Sequence, residues 1–464
     1  MSDSLRVVAI ADADSFVKWS ASLLGSVAGI RRHLLLVKTP LSASAAQERA
    51  ALSDTGVEPH DVTRLAFADT RAWLEAQRPD VVLLAGRGPF VRLLGRVIDA
   101  LDQRPVTVAG LPGMAIPAQR GALDYRRHVD LLVVHSHREV RAFDELGRRI
   151  GVHVPTALAT LPFARPRERM LSPQRAGTHA VGGLLVDERP APIDSPVSPG
   201  GHVRRTPATD IVFAAQALVP AVRSQRAEIA TLLLRTAYAD PDRRVVVKLR
   251  SRPGETETHL ERDSYAELLD GRRPENLVFS YEPMSRALQT AAGLVTVSST
   301  AAIEAVAQGV PVIALDTFGV SKSLLNTVFV GSGLLGGRNE VVGGRFRHPH
   351  PGWLRDNYFH PEAESTWWER VEALVAMRRA GALPARRVPA ARGGALHEAW
   401  HRASVLGRED RSAAGRTALL AGVPAARALA AVKRRRTAAG GGTWADATTD
   451  FTLEPNPFHD SIRR

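Results

Sequence analysis

Three small hydroxyl residues follow an apolar, strand-like run within residues 294–315, LVTVSSTAAIEAVAQGVPVIAL. The pattern predicts a buried strand that ends at Ser298, Ser299 and Thr300, with a helix beginning there. The first N–H groups and the dipole of such a helix favour an anion, so the turn predicts a phosphate site. Glu304 lies about one helical turn further on, where its carboxylate could bind a ribose hydroxyl pair. The alternative is that Ser299 or Thr300 only caps the helix and that Glu304 is a solvated surface acid.

Cationic and amide side chains follow two other predicted strands in the same half of the chain. Lys248, Arg250 and Arg252 lie at the strand end and in the loop of VVVKLRSRPGE, and Gln216 follows the strand DIVFA. Because parallel strands end at one edge of a sheet, these side chains are expected beside the hydroxyl turn. There they would neutralise the phosphates of a nucleotide leaving group. The alternatives are an exposed basic strand end and an ordinary loop amide.

A carboxylate, a lysine and a tryptophan follow the first predicted strand, RVVAI. Asp14 is the candidate general base, since a carboxylate beside a lysine in a partly dry cleft can take a proton from a hydroxyl. Lys18 and Trp19 would shape the pocket for the compound that carries this hydroxyl. Arg87 and His135, which follow later strands, would face the same cleft. The alternatives are that Asp14 caps the following helix and that Trp19 belongs to the core.

The apolar runs that position these residues recur along both halves of the chain. They are continuously apolar and most are separated by enough residues for a helix, which predicts parallel sheets covered on both faces. The fold class is therefore α/β, with two Rossmann-like doubly wound domains facing a central cleft. The expected divisions are an N-terminal acceptor domain at 1–165, a Pro/Gly-rich linker or insertion at 166–207, a C-terminal donor domain at 208–380 and a basic, partly disordered tail at 381–464.

The segment SSTAAIEAVAQGVPV resembles the donor-binding segment of GT-B glycosyltransferases. It is most similar to the bacterial capsule-polysaccharide and polysialyltransferase-like branch and to actinobacterial relatives, over about residues 208–335. The resemblance implies a metal-independent transferase that moves a sugar from a CMP-, UDP- or GDP-sugar to a hydroxyl of a glycan or small molecule. It favours a CMP-activated sugar and a place in envelope or capsule polysaccharide synthesis. It implies no cofactor, because the nucleotide-sugar is a substrate.

One position departs from this branch. Its members carry His-Pro after the strand lysine, whereas this chain has Leu249 and Arg250. Arg250 can hold a phosphate electrostatically but cannot donate a proton at neutral pH. His259 is the candidate that would take over the role of acid, the alternative being a solvated histidine near a helix start.

Composition limits the other classes of function. The chain has 61 Lys and Arg against 48 Asp and Glu, a net charge of +13, and residues 381–464 hold 14 of these basic and 7 of these acidic residues. This basic tail could contact an anionic membrane, and no specific nucleic acid is expected. Cysteine is absent, and His135 and His137 lack a third ligand, so no metal site is predicted. Without a leader or a run of about 20 apolar residues, the expected location is cytoplasmic, including the inner face of the membrane.

Two other readings remain open at this point. A nucleotide-sugar 2-epimerase would share the two-domain shape without an acceptor, although such enzymes usually carry a Gly-rich turn where this chain has SST. A non-catalytic nucleotide-binding or nucleic-acid-binding protein would use the arginine-rich tail for backbone contacts. The body of the chain lacks the interleaved aromatic and basic residues of an RNA-binding platform.

Overall fold

Seven parallel strands form the first of two sheets in this computed structural model, which describes residues 4–53, 55–164, 208–217, 219–249, 263–390, 394–410, 412–415 and 417. The sheet order is β3-β2-β1-β4-β5-β6-β7. Its strands are β1 (Arg6–Ala11), β2 (Arg31–Val37), β3 (Val62–Leu65), β4 (Val81–Ala85), β5 (Val106–Gly110), β6 (Leu131–Val134) and β7 (Thr156–Leu158).

Helices cover both faces of this sheet because alternate strand residues point to opposite sides. Val7 and Ala9 of β1 belong to one core cluster, and Val8 and Ile10 belong to the other. The helices of this domain are α1 (Asp14–Gly25), α2 (Ala45–Leu52), α3 (Thr70–Gln77), α4 (Gly88–Asp99), α5 (Arg120–Asp124) and α6 (His137–Ile150).

The second sheet has six parallel strands in the order β10-β9-β8-β11-β12-β13. They are β8 (Asp210–Ala214), β9 (Val245–Lys248), β10 (Leu277–Ser280), β11 (Ala291–Thr296), β12 (Val312–Leu315) and β13 (Leu335–Gly336). The helices that follow are α7 (Arg223–Ala239), α8 (Tyr265–Leu269), α9 (Met284–Ala287), α10 (Ala301–Ala307), α11 (Arg338–Val342), α12 (Pro351–Asp356), α13 (Trp367–Arg379) and α14 (Gly394–Leu406). The prediction of two doubly wound α/β domains is confirmed.

Each sheet has one point where the strand order reverses. In the first sheet the chain fills one side with β2 and β3 and then crosses to β4, so the reversal lies between β1 and β4. In the second it lies between β8 and β11. Connecting loops diverge at such a point and leave a crevice outside the carboxyl ends of the strands, which is where ligands bind in open α/β sheets.

The C-terminal part of the chain differs from the predicted divisions. Trp367, Val371 and Val375 of α13 are buried in the core of the first domain, so this helix returns from the second domain to the first. Their spacing puts all three on one helical face, which explains the packing. Within the predicted tail, α14 packs against the first domain through Val405 and Leu406. The predicted linker at 166–207 lies outside the described residues.

A buried carboxylate joins the two domains. Glu139 of α6 accepts hydrogen bonds from the Tyr358 hydroxyl and from the backbone N–H groups of Ala115 and His135, each at 2.7 Å. The neighbouring Arg138 guanidinium donates to the Val328 carbonyl at 3.0 Å. A core cluster with side chains from both domains surrounds these contacts. Among the described helices, none is long and apolar enough to cross a membrane.

Candidate active site

The side-chain amide of Gln216 links the two loops at the reversal point of the second sheet. The Ser298 N–H donates to Gln216 Oε1 at 2.9 Å, and Gln216 Nε2 donates to Ser298 Oγ at 3.1 Å. Gln216 follows β8 and Ser298 follows β11, so the pair ties together the two loops that border the crevice. The fully buried Arg226 in turn donates to the Gln216 carbonyl at 2.9 Å. The structure thus brings two of the predicted phosphate-binding residues into direct contact.

The next two residues of the hydroxyl turn have local roles that the structure makes visible. The Ser299 N–H donates to Thr296 Oγ1, and Ser299 Oγ accepts from the Ala301 N–H, each at 3.2 Å. Ser299 Oγ therefore satisfies the first N–H group of α10, whose capping position is Thr300. Ser299 and Thr300 are half-buried, and α10 is only seven residues long. An anion at this turn would depend on side chains more than on the helix dipole.

Lys248 ends β9, on the opposite side of β8 from the hydroxyl turn. The Ala215 N–H donates to its carbonyl at 3.1 Å, and its ammonium group contacts the Leu249 carbonyl. Only 9% of Lys248 is exposed, so its charge lies at the carboxyl edge of the sheet rather than in bulk solvent. Glu304 is half-buried in α10. The predicted Arg250 and His259 lie outside the described residues.

The carboxyl edges of the two sheets meet at the loop after β5. Gly113 in this loop has a φ of +123°, and a Cβ atom placed on it would lie 3.0 Å from Cγ2 of Thr300. The hydroxyl turn of the second domain therefore touches the first domain across the interface. This contact brings the hydroxyl turn at the reversal point of the second sheet against the loop that follows β5 of the first sheet.

Asp12 is the residue that the sequence analysis missed. It follows β1 directly at the reversal point of the first sheet and is 4% exposed. The Thr39 hydroxyl donates to Oδ2 at 3.3 Å, whereas the buried Oδ1 has no hydrogen-bond partner. Burial raises the pKa of Asp12 from its ordinary 3.8 to about 6, although the charge of Arg87, the Thr39 hydrogen bond and the backbone N–H groups of Asp12 and Ala13 lower it. A carboxylate tuned in this way can accept a proton near neutral pH.

Arg87 borders the same crevice from the other strand of the reversal point. It follows β4, caps the start of α4 and carries a buried Nε without a hydrogen-bond partner. Its charge acts on the Asp12 carboxylate. Two buried polar groups with unused hydrogen-bonding capacity thus belong to one crevice, and such groups usually indicate a ligand, a water or an ion.

Asp14 and Lys18 lie on α1, one turn apart on the same face. Asp14 is the first residue of the helix and is half-buried, and Lys18 is exposed. Ala13, and not Asp14, occupies the capping position. The role of Asp14 as base stays a prediction.

Trp19 and His135 are core residues, which corrects their assignment to the acceptor pocket. Trp19 is 1% exposed and His135 is fully buried, and the indole N–H donates to His135 Nε2 at 2.7 Å. His135 Nδ1 lies 2.8 Å from the Ala159 carbonyl, so this nitrogen carries the proton and both ring nitrogens are satisfied. Burial lowers the pKa of His135 to about 4. These rings support the first strand and its helix instead of contacting a substrate.

Within the part of the chain that the structure describes, no group of three or more His, Asp or Glu residues is arranged to hold a metal ion. The charge-bearing groups at the described cleft edges are Asp12, Arg87, Lys248 and the carboxylates of α1 and α10.

Comparisons with known proteins agree with the fold. A family model described as "Putative glycosyltransferase (DUF6716)" matches residues 7–374. UDP-N-acetylglucosamine 2-epimerase from Rickettsia bellii is 13% identical with a TM-score of 0.50, covering 81% of this chain and 99% of that chain. A UDP-glucosyltransferase from Polygonum tinctorium is 12% identical with a TM-score of 0.41, covering 81% and 95%. At 13% identity the likeness to the epimerase concerns the fold alone, which is the GT-B fold. None of the curated proteins matches the chain.

Proposed function

The chain belongs to the family described as "Putative glycosyltransferase (DUF6716)", and from this premise we propose that it transfers a sugar from a nucleotide donor to a hydroxyl acceptor. The observation that carries the proposal is that each sheet has polar side chains at its reversal point and that the hydroxyl turn of the second domain contacts the first domain. The reversal point of the second sheet has an amide and a hydroxyl group, with the Lys248 ammonium group on the neighbouring strand, and that of the first sheet has a buried carboxylate and a guanidinium. Such a pair of surfaces suits a reaction that joins an anionic donor to a neutral nucleophile.

The second domain would bind the donor. Lys248 would neutralise charge on the donor phosphates as the bond between the sugar and the phosphate oxygen breaks. The Gln216–Ser298 pair would orient the phosphates or the base by hydrogen bonds, with Ser299 and Thr300 at its side. Glu304 is proposed to accept hydrogen bonds from the ribose. This assignment keeps the predicted donor residues that lie within the described chain.

The first domain would activate the acceptor. In an inverting transfer the acceptor hydroxyl loses its proton to a base while its oxygen forms the new bond to the sugar, and the nucleotide leaves with the electron pair. Asp12 fits this role better than Asp14, because Asp12 is buried, its Oδ1 has no partner and burial raises its pKa to about 6. Arg87 would hold the ionised form of Asp12 in place and keep its pKa from rising further.

Several finer features belong to the proposal as predictions. They are the independence from metal ions, the preference for a CMP-activated sugar, the role in capsule or envelope polysaccharide synthesis and the contact of the basic tail with an anionic membrane. The epimerase alternative differs in one observable way. An epimerase converts a UDP-sugar without any acceptor, whereas a transferase releases nucleotide in step with acceptor consumption.

Donor binding is tested by thermal unfolding in the presence of CMP, UDP, GDP and their sugar conjugates. One nucleotide class is expected to stabilise the protein, by about 2.7 kcal/mol at about 100 times its Kd. Lys248→Ala should remove most of that gain, whereas the exposed Lys38→Ala serves as a matched control and should keep it. Indifference of the wild-type protein to all three classes would count against the proposal.

The choice of base is tested with two matched variants. Asp12→Asn is expected to lower transfer by about 100-fold or more while leaving nucleotide stabilisation intact, since general base catalysis contributes about 10²–10⁴. Asp14→Asn should retain transfer within a few-fold. The opposite pattern would return the role to Asp14, and loss of nucleotide binding in Asp12→Asn would remove Asp12 from the acceptor side.

A further inference from the structure

A cavity of about 1060 Å³ lies outside the cleft, between the outer face of the first domain and the returning C-terminal segment. One face of α4 packs into the core through Phe90, Val91, Leu94 and Ile98. The opposite face of the helix lines the cavity. Helices α3 and α5 flank it, and Pro389 and α14 cover it. Six arginines line its walls: Arg71, Arg92, Arg96, Arg120, Arg127 and Arg402.

The carboxylates at this cavity are fewer than its guanidinium groups. Glu398 is shared by Arg96, which contacts it directly, and Arg92, at 3.8 Å. Arg92 also donates to the Pro389 carbonyl at 2.8 Å and is only 20% exposed. Because these two arginines share one carboxylate, the wall that α4 forms with α14 has one excess positive charge.

The α5 wall repeats this arrangement. Asp124 is shared by Arg120, at 3.1 Å, and Arg127, at 2.6 Å. The two remaining arginines each have a carboxylate of their own, Glu75 and Asp410. Among the described residues, the arginines of the cavity therefore outnumber their carboxylate partners by two, with one excess positive charge on each of two walls. Guanidinium groups bind phosphate oxygens with two parallel hydrogen bonds, so this excess suits a ligand with two phosphate charges.

The rest of the lining is aromatic and apolar. The Tyr125 ring stacks on His401, with centroids 6.2 Å apart, and the Arg402 guanidinium lies over the Phe67 ring at 5.4 Å. His401 Nε2 is buried and has no hydrogen-bond partner. Burial and the charge of Arg92 lower the pKa of this histidine, so it is neutral at pH 7. A cavity of this size exceeds a diphosphate group alone and has room for an organic group beside it.

We infer that this cavity binds a diphosphate ester, with the diphosphate between the α4 and α5 walls and the organic group against the aromatic side. The site is independent of the proposed reaction, because none of the residues assigned to the cleft lines it. The ester could be free, as in a nucleoside diphosphate, or the headgroup of a lipid diphosphate, and the two sources share the same recognition chemistry.

Binding is tested on the full chain by calorimetric titration with inorganic pyrophosphate. The wild-type protein should bind in a saturable manner that weakens between about 0.1 and 0.5 M NaCl, as screened charges require. Arg120→Gln combined with Arg127→Gln should weaken this binding tenfold or more without touching the Pro389 contact. Arg286→Gln, on an exposed pair of the second domain, should leave it unchanged.

A second variant covers the opposite wall. Arg92→Gln combined with Arg96→Gln should also weaken pyrophosphate tenfold or more, and a far-ultraviolet spectrum like that of the wild type would show that the fold persists. Wild-type affinity for pyrophosphate in either wall variant would overturn the inference, as would loss of binding only in Gln216→Ala of the cleft.

Competition identifies the organic group. Farnesyl diphosphate and uridine diphosphate are each titrated against the wall-dependent pyrophosphate binding. Competition by farnesyl diphosphate at the lower concentration would indicate a lipid source, and competition by uridine diphosphate a free nucleotide. Failure of both to compete would refute the binding of a diphosphate ester.

Discussion

Because Asp12 is buried, we predict that removing its charge stabilises the protein. The same change should stop the reaction, because Asp12 is the proposed base. A pKa raised from 3.8 to about 6 means that the folded state binds the proton more tightly than the unfolded chain. The stability that protonated Asp12 contributes is fully present below pH 3.8 and is lost as the pH rises through about 6. At neutral pH the ionised carboxylate therefore costs about 3 kcal/mol, at about 1.36 kcal/mol for each pH unit.

Asp12→Asn removes this cost because the amide is neutral at every pH. Its carbonyl oxygen can still accept from the Thr39 hydroxyl, and its NH₂ group replaces the oxygen that had no partner. The variant should be more stable than the wild type by about 3 kcal/mol near pH 8 and by about half of that near pH 5. The pH dependence of the unfolding free energy that comes from other titratable groups is the same in both proteins, so it cancels in this comparison.

The assay is urea unfolding of both proteins at about pH 8 and about pH 5, with Asp14→Asn as the control. Asp14 is half-buried at the helix start, so the effect of its substitution on stability is compared between the two pH values rather than taken as zero. An advantage of Asp12→Asn that does not shrink towards acid would refute the reasoning, because it could not come from the carboxylate charge. A destabilised Asp12→Asn at both pH values would show that the carboxylate is satisfied in the fold.

Three further outcomes follow from other contacts. Gln216→Ala should cost about 1–3 kcal/mol in urea unfolding, because it leaves the buried turn serine without its partner, and should weaken donor binding in the same thermal assay. Trp19→Phe should also cost about 1–3 kcal/mol, because His135 Nε2 loses its donor. Since the folded pKa of His135 is lowered to about 4 from an ordinary 6.5, stability should fall as the pH drops through this window, and the fall should be smaller in that variant. Gly113→Ala should cost more than about 1 kcal/mol, given a positive φ that a side chain resists, and adding Thr300→Ser should recover only the part due to the close contact.

The two sheets were predictable because their central strands are continuously apolar. Runs such as those of β4 and β12 are buried along their whole length, and this is the pattern of strands covered on both faces. Of the four edge strands, β10 was predicted, whereas β3, β7 and β13 were missed because they are short or lack a continuous apolar run. β3 has no fully buried residue and carries an arginine, and β13 has two residues, so neither shows an apolar run.

Long-range packing limited the rest of the prediction. The apolar face of α13 is visible in the sequence, yet nothing local tells which of two similar domains it covers. The hydrogen bond between Trp19 and His135 joins positions 116 residues apart. In the sequence, each residue follows a predicted strand and carries a polar ring nitrogen. Only the hydrogen bond between the two rings shows that both are core residues.

The choice between two aspartates depends on where the first strand ends and where the first helix begins. Asp12 and Asp14 both follow the first strand, and a carboxylate before a helix is as typical of a cap as of a base. β1 ends at Ala11 and α1 begins at Asp14, so Asp12 occupies the turn and stays within the crevice while Asp14 joins the helix surface. Strand and helix ends are the least certain part of any sequence-based assignment.

Topology explains why the candidate residues of each domain lie together at one edge of its sheet. Once the strand orders are known, the reversal points between β1 and β4 and between β8 and β11 name the same four loops that hold Asp12, Arg87, Gln216 and Ser298. The information missing from the sequence was therefore the strand order more than any motif. The SST turn was found by its residue types, whereas Asp12 follows from position alone. A carboxylate at that position, with an unused oxygen and a stability cost, is what a site kept for chemistry rather than for folding would show.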